Sequence, residues 1–251
     1  MLKSLIKTEK EIDAMRAGGK ILAQIVDGLG KYIQIGISTM DIDNKADELC
    51  QELNVKPAFK GFQKYPNGAC VSINDEIVHG IPAPDRILHE GDLVSIDYGI
   101  WHKNMCTDMA RTFAVGEIST DARKLITITE KSLQIGIAQI KNGTRVGDIG
   151  QAIQKYAENN DTQVIRELVG HGVGREIHEP PQIPNFGKRG QGEELLSGMT
   201  IAIEPMLALG SHEVELDKNN WTYKTIDGSL SCHFENTILV TDNGVEILTT
   251  L

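Results

Sequence analysis

The chain has 251 residues, 40% of them apolar and 24% charged, values of an ordinary globular protein that exclude disorder and collagen-like repeats. Its formal net charge of −10 gives no reason to expect nucleic-acid binding. The four cysteines, Cys50, Cys70, Cys106 and Cys232, lack paired spacing, which argues against a disulfide framework or a structural zinc knuckle and suits a reducing compartment.

Lys3, Lys7, Glu9, Lys10 and Glu11 deny the first residues the apolar core of a signal peptide, and no run reaches the roughly 18 apolar residues of a membrane span. The expectation is a cytoplasmic protein without membrane contact. Thr8 and Glu11 form a capping-box pair ahead of Ile12, Met15, Ile21, Ile25, Leu29 and Tyr32, which recur at helical spacing. A second helix follows Ser38, with Ile42, Ala46 and Leu49 on one side, and ends near Asn54. From Val71 the pattern turns to strands and Pro/Gly turns, including the alternation Leu93, Ser95, Asp97 against Val94, Ile96. Two more helices are predicted, Thr120 to Lys141 and Val146 to Asn159. Strands follow at Thr200–Ile203 and Cys232–Val240, and Asn243-Gly244 signals a hairpin turn.

Shifting the chain by 107 residues superposes Gly36 on Gly143, Asp41 on Asp148, Ile42 on Ile149, Gly91 on Gly198 and Asp97 on Glu204. The apolar pairs Val94/Ile201 and Ile96/Ile203 obey the same shift, whereas Leu29 falls on Gly136. The order helix, helix, strand with a terminal carboxylate occurs twice. This predicts one domain of two similar halves, about 1–115 and 116–251, packed about a pseudo-twofold axis that brings Asp97 and Glu204 together.

A hairpin turning at His102-Lys103 sets Asp97 directly opposite Asp108. Like charges so placed must be neutralised by a proton, an arginine or a metal unless both are solvated. The apolar run before Asp97 argues against full exposure. Glu204 ends an apolar strand and is followed by Pro205; Glu235 lies in the apolar run Ser231–Ile238. His171 stands between Gly170 and Gly172, which are expected to let the backbone approach a ligand. Neither a dinucleotide fingerprint nor a phosphate loop fits this spacing. Four carboxylates and one imidazole suit two divalent ions with shared ligands, a pairing that hydrolyses amides or esters.

The ordered set Asp97, Asp108, His171, Glu204 and Glu235, with Val78-His79-Gly80 upstream and His178-Glu179-Pro180-Pro181 after the Gly170-His171-Gly172 motif, resembles type I methionine aminopeptidase over essentially the whole chain. With no long segment before the first helix, the likeness is to the short bacterial-like form. It implies the α/β (α+β) pita-bread fold: two pseudo-symmetric halves, a central curved antiparallel sheet and covering helices.

The resemblance also implies residue roles. Asp97 is a two-oxygen ligand of one metal, Asp108 and Glu235 are bridging ligands, and His171 and Glu204 are ligands of the second metal, Glu204 also taking a proton from the bridging water. The hydroxide so formed attacks the methionine carbonyl. His79 stands near the scissile nitrogen and His178 near the carbonyl oxygen; each, taken alone, reads as a surface or loop histidine. Phe59, Phe62, Tyr65, Cys70, Ile177 and Trp221 match the methionine pocket, and a monovalent cation sits beside the backbone of Asn74 and Ser231. Leu168, Ile177 and His233 depart from the residues frequent at their positions (Met or an aromatic, Phe and Gln), without removing a metal ligand.

The implied cofactors are two divalent ions per chain, drawn from Co²⁺, Mn²⁺, Fe²⁺ and Zn²⁺. The implied partners are nascent polypeptide N-termini with a small second residue, with transient ribosome association, and the chain is expected to be a monomer. An Xaa-Pro peptidase of the same fold is the first rival, although such enzymes carry an extra N-terminal domain for which this chain is too short. A non-catalytic binding protein is the second.

Overall fold

The computed structural model describes the backbone of residues 2–251 and the side chains of residues 4–251. Helix α1 spans Glu9–Tyr32 and α2 spans Thr39–Glu52. The strands between and after them are β1 (Lys56–Pro57), β2 (Cys70–Ile73), β3 (Glu76–Val78), β4 (Leu93–His102) and β5 (Met105–Ala114). Helices α3 (Thr120–Ile137) and α4 (Val146–Glu158) lead to β6 (Gln163–Val164), β7 (Gly170–Gly172), β8 (Glu179–Ile183), β9 (Thr200–Ile203) and β10 (Met206–Ala208). The chain continues through β11 (Val214–Leu216), β12 (Tyr223–Thr225), β13 (Ser231–His233), β14 (Asn236–Val240) and β15 (Val245–Ile247).

Each helix starts where the sequence satisfies its free N–H groups. Thr8 N donates to Glu11 Oε2 at 2.7 Å while Glu11 N donates to Thr8 Oγ1. Ser38 and Asp41 repeat the exchange at α2, and Ser119 caps α3 by accepting from Ala122 N. Two helices stop sooner than the spacing suggests. Asn54 takes a left-handed φ of 54° just beyond α2, and α3 gives way after Ile137 to tighter bonds such as Ile140 N to Ile137 O.

All strand pairs are antiparallel. One sheet sets β5 on one edge of β4, with β2 and β1 along the other; a second runs β15-β14-β9-β7-β8. Two three-stranded sheets, β13-β10-β6 and β11-β12-β3, complete the set. Leu22, Ile25, Val26 and Leu29 of α1 and Ile42 of α2 bury against Val94, Ile96 and Tyr98 of β4. Leu133 of α3 and Ile149 and Ile153 of α4 bury against Ile201, Ile203 and Ile238 in the same manner. The 107-residue relation recurs in backbone detail. Gly36 and Gly143 have φ of 90° and 87°, and Gly91 and Gly198 have 95° and 89°. Ser38 bridges Ile87 as Arg145 bridges Glu194, and Gly36 N donates to Leu88 O as Gly143 N does to Leu195 O.

Two sequence expectations need correction. The β4–β5 hairpin turns at Lys103-Asn104, both with positive φ, so Asp97 pairs with Ala110 and Asp108 with Gly99. Asp97 and Asp108 therefore share a face but stand diagonally, one step apart. The run Cys232–Val240 is not one strand: β13 pairs with β10 and β14 with β9, and Phe234-Glu235 makes the break. The facing chain breaks at Glu204-Pro205, where proline has no N–H to give a ladder.

Gly19 shows how closely α1 sits on the C-terminal segment, because a Cβ there would stand 2.2 Å from Leu248 O. Overpacking of this kind costs about 1–3 kcal/mol, more than the ~1 kcal/mol that alanine gains over glycine in a helix. Gly19→Ala should therefore lower the urea midpoint of unfolding. An unchanged or higher midpoint would show that α1 stands farther from Leu248.

Candidate functional site

The two breaks that end β9 and β13 put their glutamates at the junction of the sheets. Glu235 N donates to Ala110 O of β5 at 2.9 Å, and the Glu235 carbonyl accepts from Arg111 Nη1. Asp108 is fixed through its backbone, with its N–H donating to Thr237 Oγ1 and its carbonyl accepting from the same hydroxyl. The ligating atoms of Asp108, His171 and Glu235 lie within 4.8 Å of one another. Asp97 and Glu204 belong to the same electrostatic group: the charges of Asp108 and Glu204 both raise the Asp97 carboxyl.

His171 is held in one tautomer. Its Nδ1 lies 2.9 Å from the carbonyl of Gly172, which can only accept, so Nδ1 carries the proton and Nε2 offers a lone pair. That lone pair faces Glu204 Oε1 at 3.5 Å, and Glu204 Oε1 is a buried atom with no hydrogen-bond partner, as is Asp97 Oδ1. Acceptors converging without a donor between them are what a cation requires. The glycines beside His171 serve a different purpose from the ligand approach expected. A Cβ at Gly170 would meet Ala202 O at 2.5 Å and one at Gly172 would meet Pro180 O at 2.2 Å, so they let β7 fit between β8 and β9.

A cavity of about 820 Å³ opens onto this cluster. Every carboxylate and histidine assigned above to metal or catalysis lines it, as do Phe59, Phe62, Tyr65, Cys70, Ile177 and Trp221. Tyr65 is braced from behind by donating to Ala69 O and Gly80 O, and its ring meets Trp221 edge-on at 5.1 Å. His178 reaches in with its ring 4.4 Å from His171 and edge-on to Phe62 at 5.3 Å. His79 holds a left-handed φ of 59°, a conformation a non-glycine residue seldom adopts, and its carbonyl accepts from Thr222 Oγ1. Asn74 and Ser231 lie apart from the cavity, joined by Ser231 N and Oγ donating to Asn74 O at 2.8 and 3.0 Å.

Three supporting residues, Lys7, Glu179 and Arg111, had no role assigned from the sequence, although Glu179 belongs to the His178–Pro181 motif. Lys7 reaches from the segment before α1 to form a buried ion pair with Glu179, 2.8 Å long, beside His178. The other Glu179 oxygen accepts from Arg175 N and Glu176 N, so this carboxylate closes the turn that carries His178. Arg111, with its two backbone acceptors and Asn236 Oδ1, clamps the Glu235 segment. Pairings across 172 and 124 positions are invisible to local pattern.

Burial sets the protonation of the site. It raises the carboxyls of Asp97, Glu204 and Glu235 well above the usual range, with the charge of Asp108 adding to each, and it pushes Asp108 up to about 7. Burial lowers His79 to about 4 and His171 to about 3, the charge on His178 adding to both, and it lowers His178 as well. At neutral pH the imidazoles are neutral and the metal-free carboxylates hold protons in common.

Residues 13–242 match the family model described as metallopeptidase family M24. A methionine aminopeptidase of Clostridium acetobutylicum is 45% identical, covering 98% of each chain. The crystal structure of methionine aminopeptidase from Thermotoga maritima superposes with a TM-score of 0.96 at 44% identity, over 98% of this chain and 99% of that one. The prolidase of Pyrococcus horikoshii shares the fold at a TM-score of 0.78 and 24% identity, over 98% of this chain and 63% of the prolidase.

The linkage between protons and ion has a definite sign. Unfolded Asp and Glu titrate near 4, and their folded values are raised, so the metal-free fold binds extra protons from about pH 4 to 7 and loses stability across that window. A divalent ion must displace those protons, whereas the His79 and His171 imidazoles are already neutral above pH 5. The rise in melting temperature on adding excess Mn²⁺ or Zn²⁺ should therefore be larger at pH 7.5 than at pH 5. Equal increments, or none at either pH, would refute a preformed carboxylate site.

Proposed function

The chain belongs to the methionine aminopeptidases of metallopeptidase family M24, and on that premise we propose that its buried cluster holds two divalent ions beside a methionine pocket. The observation that supports this most directly is the meeting of partnerless acceptors, Asp97 Oδ1, Glu204 Oε1 and the His171 lone pair, in one cavity with the apolar residues. Asp97 would hold one ion, His171 and Glu204 the other, and Asp108 and Glu235 both. Ions so held supply an activated water and polarise a carbonyl. An oxygen-rich donor set with one imidazole tolerates Mn²⁺, Fe²⁺, Co²⁺ or Zn²⁺.

The chain's own groups do the rest. Glu204 takes a proton from the attacking water. His178, neutral, donates to the developing oxyanion, and His79 holds the scissile nitrogen. Phe59, Phe62, Tyr65, Cys70, Ile177 and Trp221 enclose the unbranched thioether. A monovalent cation would find backbone oxygens at Asn74 and Ser231.

The substrate is a new polypeptide that begins with methionine and has a small second residue. The enzyme would act in the cytoplasm as a monomer, with transient ribosome contact; among the described residues no helix is long and apolar enough to cross a membrane. The chain is read as a single catalytic domain of two related halves, 1–115 and 116–251. The likeness to prolidase is one of fold alone.

Two experiments test the assignment of roles. His178→Ala should lower kcat on the order of 10²–10³ while leaving metal content unchanged, and Asp108→Ala or Glu235→Ala should abolish both metal binding and turnover. A His178 variant whose only defect is metal loss, or an Asp108 variant of near-normal activity, would contradict the roles. On a panel of Met-Xaa-Ser peptides, small Xaa should be cut far faster than Lys, because a long second side chain displaces the carbonyl from near-attack geometry. Met-Ala-Ser should exceed Leu-Ala-Ser by a finite factor, a misfitted methylene being worth about 1–3 kcal/mol. Equal cleavage of Met-Lys-Ser and Met-Ala-Ser, or faster cleavage of Leu-Ala-Ser, would overturn the substrate.

A further inference from the structure

His233 does not line the cavity; it stands behind Glu204. The residue is 1% exposed, and neither ring nitrogen has a hydrogen-bond partner among the described residues. Its backbone is fixed on both sides by Thr112, whose hydroxyl accepts from His233 N and donates to His233 O, and by pairing with Met206. The ring is thus held in place with its bonding capacity unspent, which an interior rarely tolerates without a reason.

Its acidic neighbour, Glu204, accounts for its orientation. His233 Nε2 lies 3.7 Å from Glu204 Oε2, and His171 Nε2 lies 3.5 Å from Glu204 Oε1. One carboxylate is therefore flanked by two imidazoles, one on each oxygen. On the His171 side both facing atoms are acceptors, because the His171 proton is committed to Gly172 O. On the His233 side no hydrogen-bond acceptor meets Nδ1 among the described residues, and the acidic oxygen facing Nε2 is Glu204 Oε2. A neutral ring there carries its proton on Nε2.

We propose that His233 is a positioning residue for Glu204: its Nε2–H closes onto Glu204 Oε2 and leaves Oε1, ionised and correctly aimed, for the divalent ion shared with His171. The proposal rests on the metal reading above and deepens it. A carboxylate with one oxygen on a cation and the other on a fixed donor cannot rotate about its last bond, and donors of this kind typically alter metal affinity by about 10–100-fold. Glutamine also carries a side-chain N–H, so it can meet the same need, whereas an aliphatic residue cannot.

Affinity for Co²⁺ alone, measured by competition with a chromophoric chelator, should fall by about 10–100-fold in His233→Leu and recover most of the way in His233→Gln. The visible absorption of the Co²⁺-loaded variants should match wild type, because no ligand is lost. The metal-free melting temperature of His233→Leu should not fall, since the variant removes an unsatisfied buried group. In wild type labelled with ¹⁵N-histidine and loaded with Zn²⁺, His233 should show a protonated Nε2 and a bare Nδ1, a test that needs no variant to fold. Undiminished Co²⁺ affinity in the leucine variant, no recovery with glutamine, an altered cobalt spectrum or a proton on Nδ1 would each overturn the proposal. Failure of the wild type to bind Co²⁺ would overturn the metal reading itself.

Discussion

Four buried carboxylates converge on one cavity, and they cannot all be charged there without a cation. Two unit charges about 4 Å apart repel by roughly 4 kcal/mol at the effective dielectric of a protein, so a fully ionised set would cost more than most domains have in total stability. Much of the architecture serves to impose this proximity and make it bearable. Asp97 and Asp108 sit on adjacent strands of one sheet, and Glu204 and Glu235 sit where two antiparallel partners both change sheets. No carboxylate is carried on a flexible loop tip. The positions are imposed by ladders, by the exchange between Asp108 and Thr237, and by the clamp of Arg111.

The parts of this arrangement written locally could be read from the chain. The Thr8–Glu11 capping pair and Ser38 marked the starts of α1 and α2, because their side chains satisfy N–H groups three residues away. The repeat was legible through glycine: Gly36, Gly91, Gly143 and Gly198 all have left-handed backbones that favour this residue. Features that depend on the partner strand were hidden. Lys103 is not a residue one chooses for a positive φ, so the hairpin was placed one residue early and each pairing slipped by two. Because a slip of two preserves the face, Asp97 and Asp108 still came out on the same side. The apolar run around Phe234 concealed the strand break because both fragments are buried. The approach of His233 to Glu204 was hidden too, because it arises where β13 pairs with β10 beyond the end of β9.

The division of labour in the cavity follows the difference between strands and connections. The polar cluster is carried mostly by strands and their breaks, while Phe59, Phe62, Ile177 and Trp221 come from connections. A scaffold of this shape can keep one reaction centre and change its clientele by altering the connections.

The ion pair between Lys7 and Glu179 has one more implication. A connecting loop ordinarily belongs to the least stable part of a protein, but here the loop that carries His178 is latched to a segment 172 positions away. Releasing either partner strands a buried charge, which in comparable pairs costs about 3–5 kcal/mol. The segment ahead of α1 is thus a clasp on the loop that carries His178. During synthesis Lys7 waits for a counter-ion made 172 positions later, so this clasp can form only once most of the chain exists.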